Sequence, residues 1–377
     1  MEKISHKIVD SVREIAEKDW DSAFDVFPED YRFYKTLEES KLDEFIFHYL
    51  ILYHNNKIIL IAPLFITDFN LDIAVEGPLE KIIHTIRRIF PRFMISKTLF
   101  CGSPFAENGV LGIINKAVNK GIFIDELIMA MGEFCKEKNI PLIIFKDFLK
   151  DDADLFDPLI EKGFFKVYSF PGVVTELNFN SFDEYLNSLG HSTRKSLRKK
   201  LKHAYSSADI SVKIIEEADD LADDIHRLYE NTYHSGSTKF ERLTKEFFLS
   251  IGKNLHPYVR FFLYYVNGKL GAFNLCFVYK DLFIDKFIGF DYDISDKYNL
   301  YFLTWCFNIE WCIKNSIRFY HTGQTDYQPK LRLGGKLVPL YAYIKHKNSA
   351  INSLLKLLAK VLKPENFDKD IRDNRHV

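Results

Sequence analysis

Two stretches of this chain repeat one another, and the repeat limits the folds open to it. Residues 49–66 (YLILYHNNKIILIAPLFI) and 261–278 (FFLYYVNGKLGAFNLCFV) each set two apolar runs around an Asn-Asn or Asn-Gly pair. That is the local pattern of a β-hairpin with a tight turn. Each is followed, after an interval, by a helical pattern and a short strand. These are GIFIDELIMAMGEFCKEKN and IPLIIFKDF at 121–148, and NLYFLTWCFNIEWCIKNS, IRFYH and the loop TGQ at 299–324. The two turns lie 212 positions apart and the two strand starts, Ile140 and Ile317, only 177 apart. The first copy therefore carries about 35 extra residues, expected in the Gly- and Pro-bearing stretch 67–115, read as a long irregular loop.

Antiparallel strands, a helix and then a strand parallel to its neighbour give an α/β fold with a mixed, mostly antiparallel sheet and helices on both faces. At 377 residues the chain suits two such domains, expected over 1–170 and 171–377. Between them, 171–180 reads as a crossing strand, and Ser181 with Glu184 as a capping box. The helix at 299–315 is apolar around most of its circumference, so it is expected to be buried on several sides. The opening segment 7–19 reads as amphipathic.

Lysines and arginines nearly balance acids, for a formal net charge of -1, so no DNA-scale positive field exists and any polyanion site must be local. The five cysteines fall mostly in apolar runs and form no CxxC pair, which argues against a thiolate zinc site and fits buried thiols in a reducing compartment. No apolar run reaches the length of a membrane span and the N-terminus lacks a signal core, so a cytoplasmic location is expected. SLLKLLAKVLK (353–363) is a basic amphipathic pattern that packs on the body or makes weak peripheral contact with a membrane.

Several residues stand out chemically. A basic helix at 191–205 gathers six Lys/Arg between 194 and 202 without an acid, and Arg194, Arg198 and Lys199 are candidates for holding phosphate. Asp285 falls mid-strand, where a carboxylate is unusual unless it faces a cleft. Asp291 follows that strand. Glu176 and Asp326 are weaker acids to consider as a base. Tyr298 or Tyr301 could protonate a leaving group, and Asp296 fits an N-cap for the helix after it. His226, Glu230 and His234 recur every fourth position, but three groups strung over two turns make a poor single-metal site, so no metal is expected. Cys101 alone sits in a polar turn.

The order of hairpin, third strand, loop, buried helix and strand resembles the GNAT acyltransferase fold. HSTRKSLRKKLKHA (191–204) and the run from FIGFDYDISD through HTGQTDYQPKLRLGG (287–335) resemble the FemAB-like and BioF2-like transferases of peptidoglycan biosynthesis or recognition. That resemblance implies two tandem GNAT-like domains, the first degenerate. It implies an N-acyltransferase taking acyl-CoA as donor, with aminoacyl-tRNA or acyl carrier protein as alternatives, and a small-molecule amine as acceptor between the domains. A binding protein that kept the fold without catalysis is the remaining alternative. In the resembled families a lysine at the position of Lys330 lies near the donor and polarises the transferred carbonyl or orients the donor, while Gln324 and Tyr327 line the same turn. The superfamily's pyrophosphate loop is absent: GFDYDISDKYNLYF has one glycine and three aspartates in its place.

Overall fold

The computed structural model describes residues 4–24, 28–73, 75, 78–114, 120–236, 240–361 and 363–374. It divides into two compact units. One comprises Met1–Glu38, Asp43–Pro171 and Val338–His376; the other comprises Glu39–Leu42 and Gly172–Leu337 with Val377.

The first unit is built on β1 (Ile4–Val9), β2 (Ile46–His54), β3 (Lys57–Asn70), β4 (Ile95–Cys101), β5 (Gly112–Ile113), β6 (Leu142–Leu149) and β7 (Phe165–Tyr168). The second uses β8 (Gly172–Glu176), β9 (Ile210–Ile215), β10 (Val259–Val266), β11 (Lys269–Tyr279), β12 (Leu282–Phe290), β13 (Phe319–His321) and β14 (Lys336–Val338). The last strand, β15 (Leu340–His346), returns to the first sheet.

Both predicted hairpins form. Asn55 and Asn56, and Asn267 and Gly268, all take positive φ, as a two-residue turn matched to sheet twist requires. The sheet orders run β1-β2-β3-β4-β6-β15-β7 and β9-β10-β11-β12-β13-β8-β14, so the two copies match strand for strand. In each, a helix leads into the parallel strand: Lys120–Glu137 into β6 and Leu300–Lys314 into β13. In each, the strand beyond it follows the other copy in sequence. β15 pairs β6 and β7, while β8 pairs β13. This exchange carries β15 into the first sheet, beyond the expected division at 170/171.

The stretch 67–115 is more ordered than a long loop. It holds the end of β3, a helix Pro78–Ile89, β4 and β5; residues 74, 76–77 and 115 of it lie outside the described residues. The segment 7–19 is not one amphipathic helix. It is the end of β1, a short turn Val12–Glu14 and the start of a helix Glu17–Ala23. The capping pattern is half realised: Ser181 Oγ accepts from the Glu184 amide, while Glu184 Oε2 accepts from the Asn180 amide. Asp296 is no N-cap, because it lies inside the helix Tyr292–Tyr298; left-handed Asn299 joins that helix to Leu300–Lys314.

In the second unit the buried helix packs Leu303, Cys306, Ile309 and Cys312 into a core with Phe262, Tyr264, Phe283 and Tyr320 from the sheet. On the sheet's other face, Gly289 lets β12 approach the helix Ala222–Ser235. A Cβ there would fall 2.6 Å from the backbone of Leu228 and Tyr229.

Candidate functional site

A cluster of polar groups lies inside the second unit. Its centre is Asp285 on β12. The register of β11 against β12 slips between Leu275 and Cys276, from Leu275 opposite Phe287 to Cys276 opposite Asp285, passing over Lys286. A bulge of this kind re-aims a side chain. Here it turns Asp285 to the face shared by Asn274 and Cys276.

Asp285 Oδ1 accepts from Asn274 Nδ2 at 2.8 Å, and Oδ2 from Tyr320 Oη at 2.8 Å and Asn308 Nδ2 at 3.4 Å. Tyr264 donates to Asn308 Oδ1 at 2.6 Å, extending the network onto the buried helix. Asp285 is half-buried by its surface, but its carboxyl group lies deep enough that burial raises its pKa above the ordinary value. The hydrogen bonds from Tyr320 and Asn274 and the charge of Lys330 pull it partly back. Asn274 Oδ1 and Thr175 Oγ1, both buried, have no hydrogen-bond partner.

Lys330 belongs to this cluster. It lies on the short helix Tyr327–Arg332, is 8% exposed, and donates to the carbonyls of Thr322 at 2.6 Å and Gln324 at 2.9 Å. Those carbonyls converge because Gly323, Thr325 and Asp326 all take positive φ. The predicted turn is therefore real, with Lys330 as its buried tie. Gln324 is half-buried in it, and Tyr327 is buried at the start of the helix. Tyr301, on the first turn of the buried helix, has its hydroxyl pushed to higher pKa by burial and then by the charges of Asp326 and Asp285, so it keeps its proton at neutral pH.

Other expected residues lie elsewhere. Asp291 pairs with Lys269 at 3.0 Å, and its carbonyl accepts from the Ile294 and Ser295 amides. Glu176 pairs with Lys336 at 3.3 Å, Asp326 is exposed, and Tyr298 is buried beneath Lys297. Cys101 is buried and its thiol pushed well up, which removes it as a nucleophile. Glu230 is clamped by Arg242 at 3.0 and 2.7 Å, with His234 at 3.2 Å; no group of metal-ligating side chains occurs among the described residues.

The basic helix spans His191–Ser207. Arg194 turns inward and donates to the Asn187 and Leu189 carbonyls at 3.0 and 3.3 Å, closing the end of the preceding helix. Lys200 lies over the Phe302 ring, 3.1 Å from its centroid, where burial and Arg332 lower its pKa. Arg198 and Lys199 are exposed with Lys195 and Lys202, and Arg198 reaches Asp183 only at 3.9 Å.

Asn274, Asn308 and Tyr320 were missed in the sequence. The signal available was a polar residue inside an apolar run at each site: Asn274 in GAFNLCFV, and Asn308 in the middle of the buried helix.

No curated protein matches the chain in sequence. Among solved structures, FemX aligns over 85% of this chain and 93% of its own at 12% identity and a TM-score of 0.54. The C-terminal domain of a putative lysylphosphatidylglycerol synthetase from Agrobacterium fabrum aligns over 93% and 97% at 10% identity and 0.52. A tandem GNAT protein from the clavulanic acid biosynthesis pathway aligns over 92% and 99% at 9% identity and 0.53. These likenesses agree with two tandem GNAT-like domains. The model of the FemAB-like family, described as peptidoglycan biosynthesis/recognition, matches residues 11–355, and the chain belongs to that family.

Proposed function

We propose that this protein is an N-acyltransferase that moves an acyl or aminoacyl group from an activated ester or thioester to an amine, with Asp285 receiving the proton the amine gives up. The observation that carries the reading is the Asp285 carboxyl, held from both oxygens by Asn274 and Tyr320 and raised in pKa by burial. An attacking amine must be neutral, and a carboxylate of raised pKa is the better proton acceptor. Asp291 is the weaker candidate because Lys269 occupies it.

Tyr301 is assigned as the proton donor to the departing oxygen or sulfur, since it stays protonated and feels the charge of Asp285. Lys330 is assigned to positioning. Its ammonium ties the Thr322–Gln324 turn and supports the ionised form of Asp285.

For the donor, aminoacyl-tRNA is favoured over acyl-CoA by one feature. The connection from β12 to the buried helix is the helix Tyr292–Tyr298, which lacks a glycine loop and carries Asp293 and Asp296 after Asp291, acids that repel a pyrophosphate. Open backbone amides are what a pyrophosphate uses. The outward cations Lys195, Arg198, Lys199 and Lys202 then hold the donor's phosphates.

Thermal stabilisation by charged tRNA, acyl-CoAs and acyl carrier protein separates the donors, since a ligand at a hundred times its dissociation constant adds about 2.7 kcal/mol. Mass spectrometry of an amine panel with the stabilising donor then reads the transfer. Full turnover by Asp285→Asn would remove Asp285 from the mechanism.

A further inference from the structure

Two amphipathic segments of the first unit leave their apolar faces uncovered, and the sheet brings both to one end. The helix Pro78–Ile89 and the turn after it run directly into β4, where Ile95 pairs with Asn70 at the end of β3. β4 is parallel to β6, with Thr98 beside Leu142, and β15 ends at His346 opposite the same Leu142. The helix Ser349–Val361 starts just beyond. Lys97 Nζ donates to the Lys138 carbonyl at 3.3 Å and Lys347 Nζ to Asn139 Oδ1 at 2.9 Å, tying both segments to the same corner before β6.

The apolar residues of the first segment, Ile82, Ile89, Phe90 and Phe93, fall on one helical stripe and its extension, and Ile89 is 73% exposed. The segment is anchored: Arg87 bonds Asp72 at 2.5 Å and the Phe93 carbonyl at 2.9 Å, so the stripe is held facing outward. Around it, residues 78–97 carry five Lys/Arg and one acid; Asp72 pairs Arg87 and Asp68 pairs Arg92 at 2.8 Å, leaving Lys81, Arg88 and Lys97 as the flanking cations. This second helix exposes Ile351, Leu354, Leu357 and Val361, buries none of its residues among those described, and carries Lys356 and Lys360 with Lys363 beyond. Exposed apolar surface on this scale marks an interaction site.

We propose that this end of the first sheet docks on an anionic lipid bilayer. Apolar stripes flanked by cations are complementary to a surface whose interior is apolar and whose headgroups are negative. A second copy would instead set like charges against each other. The proposal is independent of the transfer chemistry above.

The test is co-sedimentation of the full chain with vesicles of equal parts phosphatidylglycerol and phosphatidylcholine, against vesicles of phosphatidylcholine alone. Binding to the anionic vesicles that weakens with added salt is expected. Ile89→Glu with Phe90→Glu, and separately Leu354→Glu with Leu357→Glu, should each weaken it roughly tenfold or more, and Arg88→Ala about fivefold. All these side chains are exposed, and an unchanged melting curve confirms that the variants fold. No sedimentation with anionic vesicles, equal sedimentation with both kinds, or variants that bind as the parent does would overturn the proposal. So would sedimentation velocity showing that the same variants abolish a dimer while leaving vesicle binding intact.

Discussion

Asn274 Nδ2 donates to Asp285 Oδ1 at 2.8 Å, and the two meet only because the register of their strands slips by one residue at Lys286. Without that slip Asp285 would be displaced from the Asn274 face. The bond also sets the acidity of the site, since Asn274 is one of the groups holding Asp285 below the pKa that burial alone would give.

The pH dependence follows from the sign of that shift. If Asp285 accepts the amine's proton, activity should rise as it ionises, and burial places this rise above the pH of an ordinary carboxylate. Asn274→Ala removes a stabilising donor, so the acid limb of kcat/KM moves to higher pH. Stability runs the other way. A folded-state pKa above the unfolded one contributes stability at low pH that is lost as pH rises through the folded value. Asp285→Asn should therefore compare least favourably with the parent in acid, and the gap in melting temperature should narrow with rising pH. A pH–rate profile unchanged by Asn274→Ala would refute the assignment.

What the sequence disclosed and what it hid divide along physical lines. Asn55-Asn56 and Asn267-Gly268 are local turn chemistry, so both hairpins were legible, as was the helix Leu300–Lys314 from its continuous apolar surface. The bulge at Lys286 was not, because a one-residue slip leaves no mark on an apolar run. The return of β15 to the first sheet was hidden for a related reason: its partners, β6 and β7, lie nearly two hundred positions away. The helix Pro78–Ile89 is masked in the sequence by the glycine and proline around it, which read as loop. Lys330 stands out in the sequence as a lysine after a strand end, but its bonds to the Thr322 and Gln324 carbonyls depend on the backbone of the turn, which the sequence does not display.

Lys330→Met tests that last point. The variant loses two charge-assisted hydrogen bonds to backbone and leaves Asp285 without its nearby cation, at an expected cost of about 3 kcal/mol. Melting temperature and turnover should fall together, and the acid limb of the rate profile should move upward. A cation that acted only on the transferred carbonyl would lower kcat and leave the melting temperature unmoved. Lys330→Ala with full turnover would remove the lysine from the mechanism altogether.

Gly289 reports on how closely β12 must approach the helix behind it. A methyl group there meets the Leu228 and Tyr229 backbone at 2.6 Å and a Phe273 ring atom at 2.3 Å. Backbone cannot step aside cheaply, so Gly289→Ala should cost about 1–3 kcal/mol through overpacking. The melting temperature should drop several degrees, and no change would mean the strand and helix are not held at this distance.

On the basic helix, Arg194 is tied to backbone carbonyls while Arg198 and Lys199 stay exposed. Arg194 closes the Asn187 and Leu189 carbonyls, so Arg194→Ala should lower stability by about 1–3 kcal/mol. Arg198 and Lys199 are exposed. Replacing both with glutamate should move stability by no more than about 0.5 kcal/mol per site. The same pair should raise KM for a phosphate-bearing donor roughly tenfold and flatten its salt dependence, because fewer counterions are released on binding. If KM and its salt slope hold steady in the double variant, the donor's phosphates are bound elsewhere.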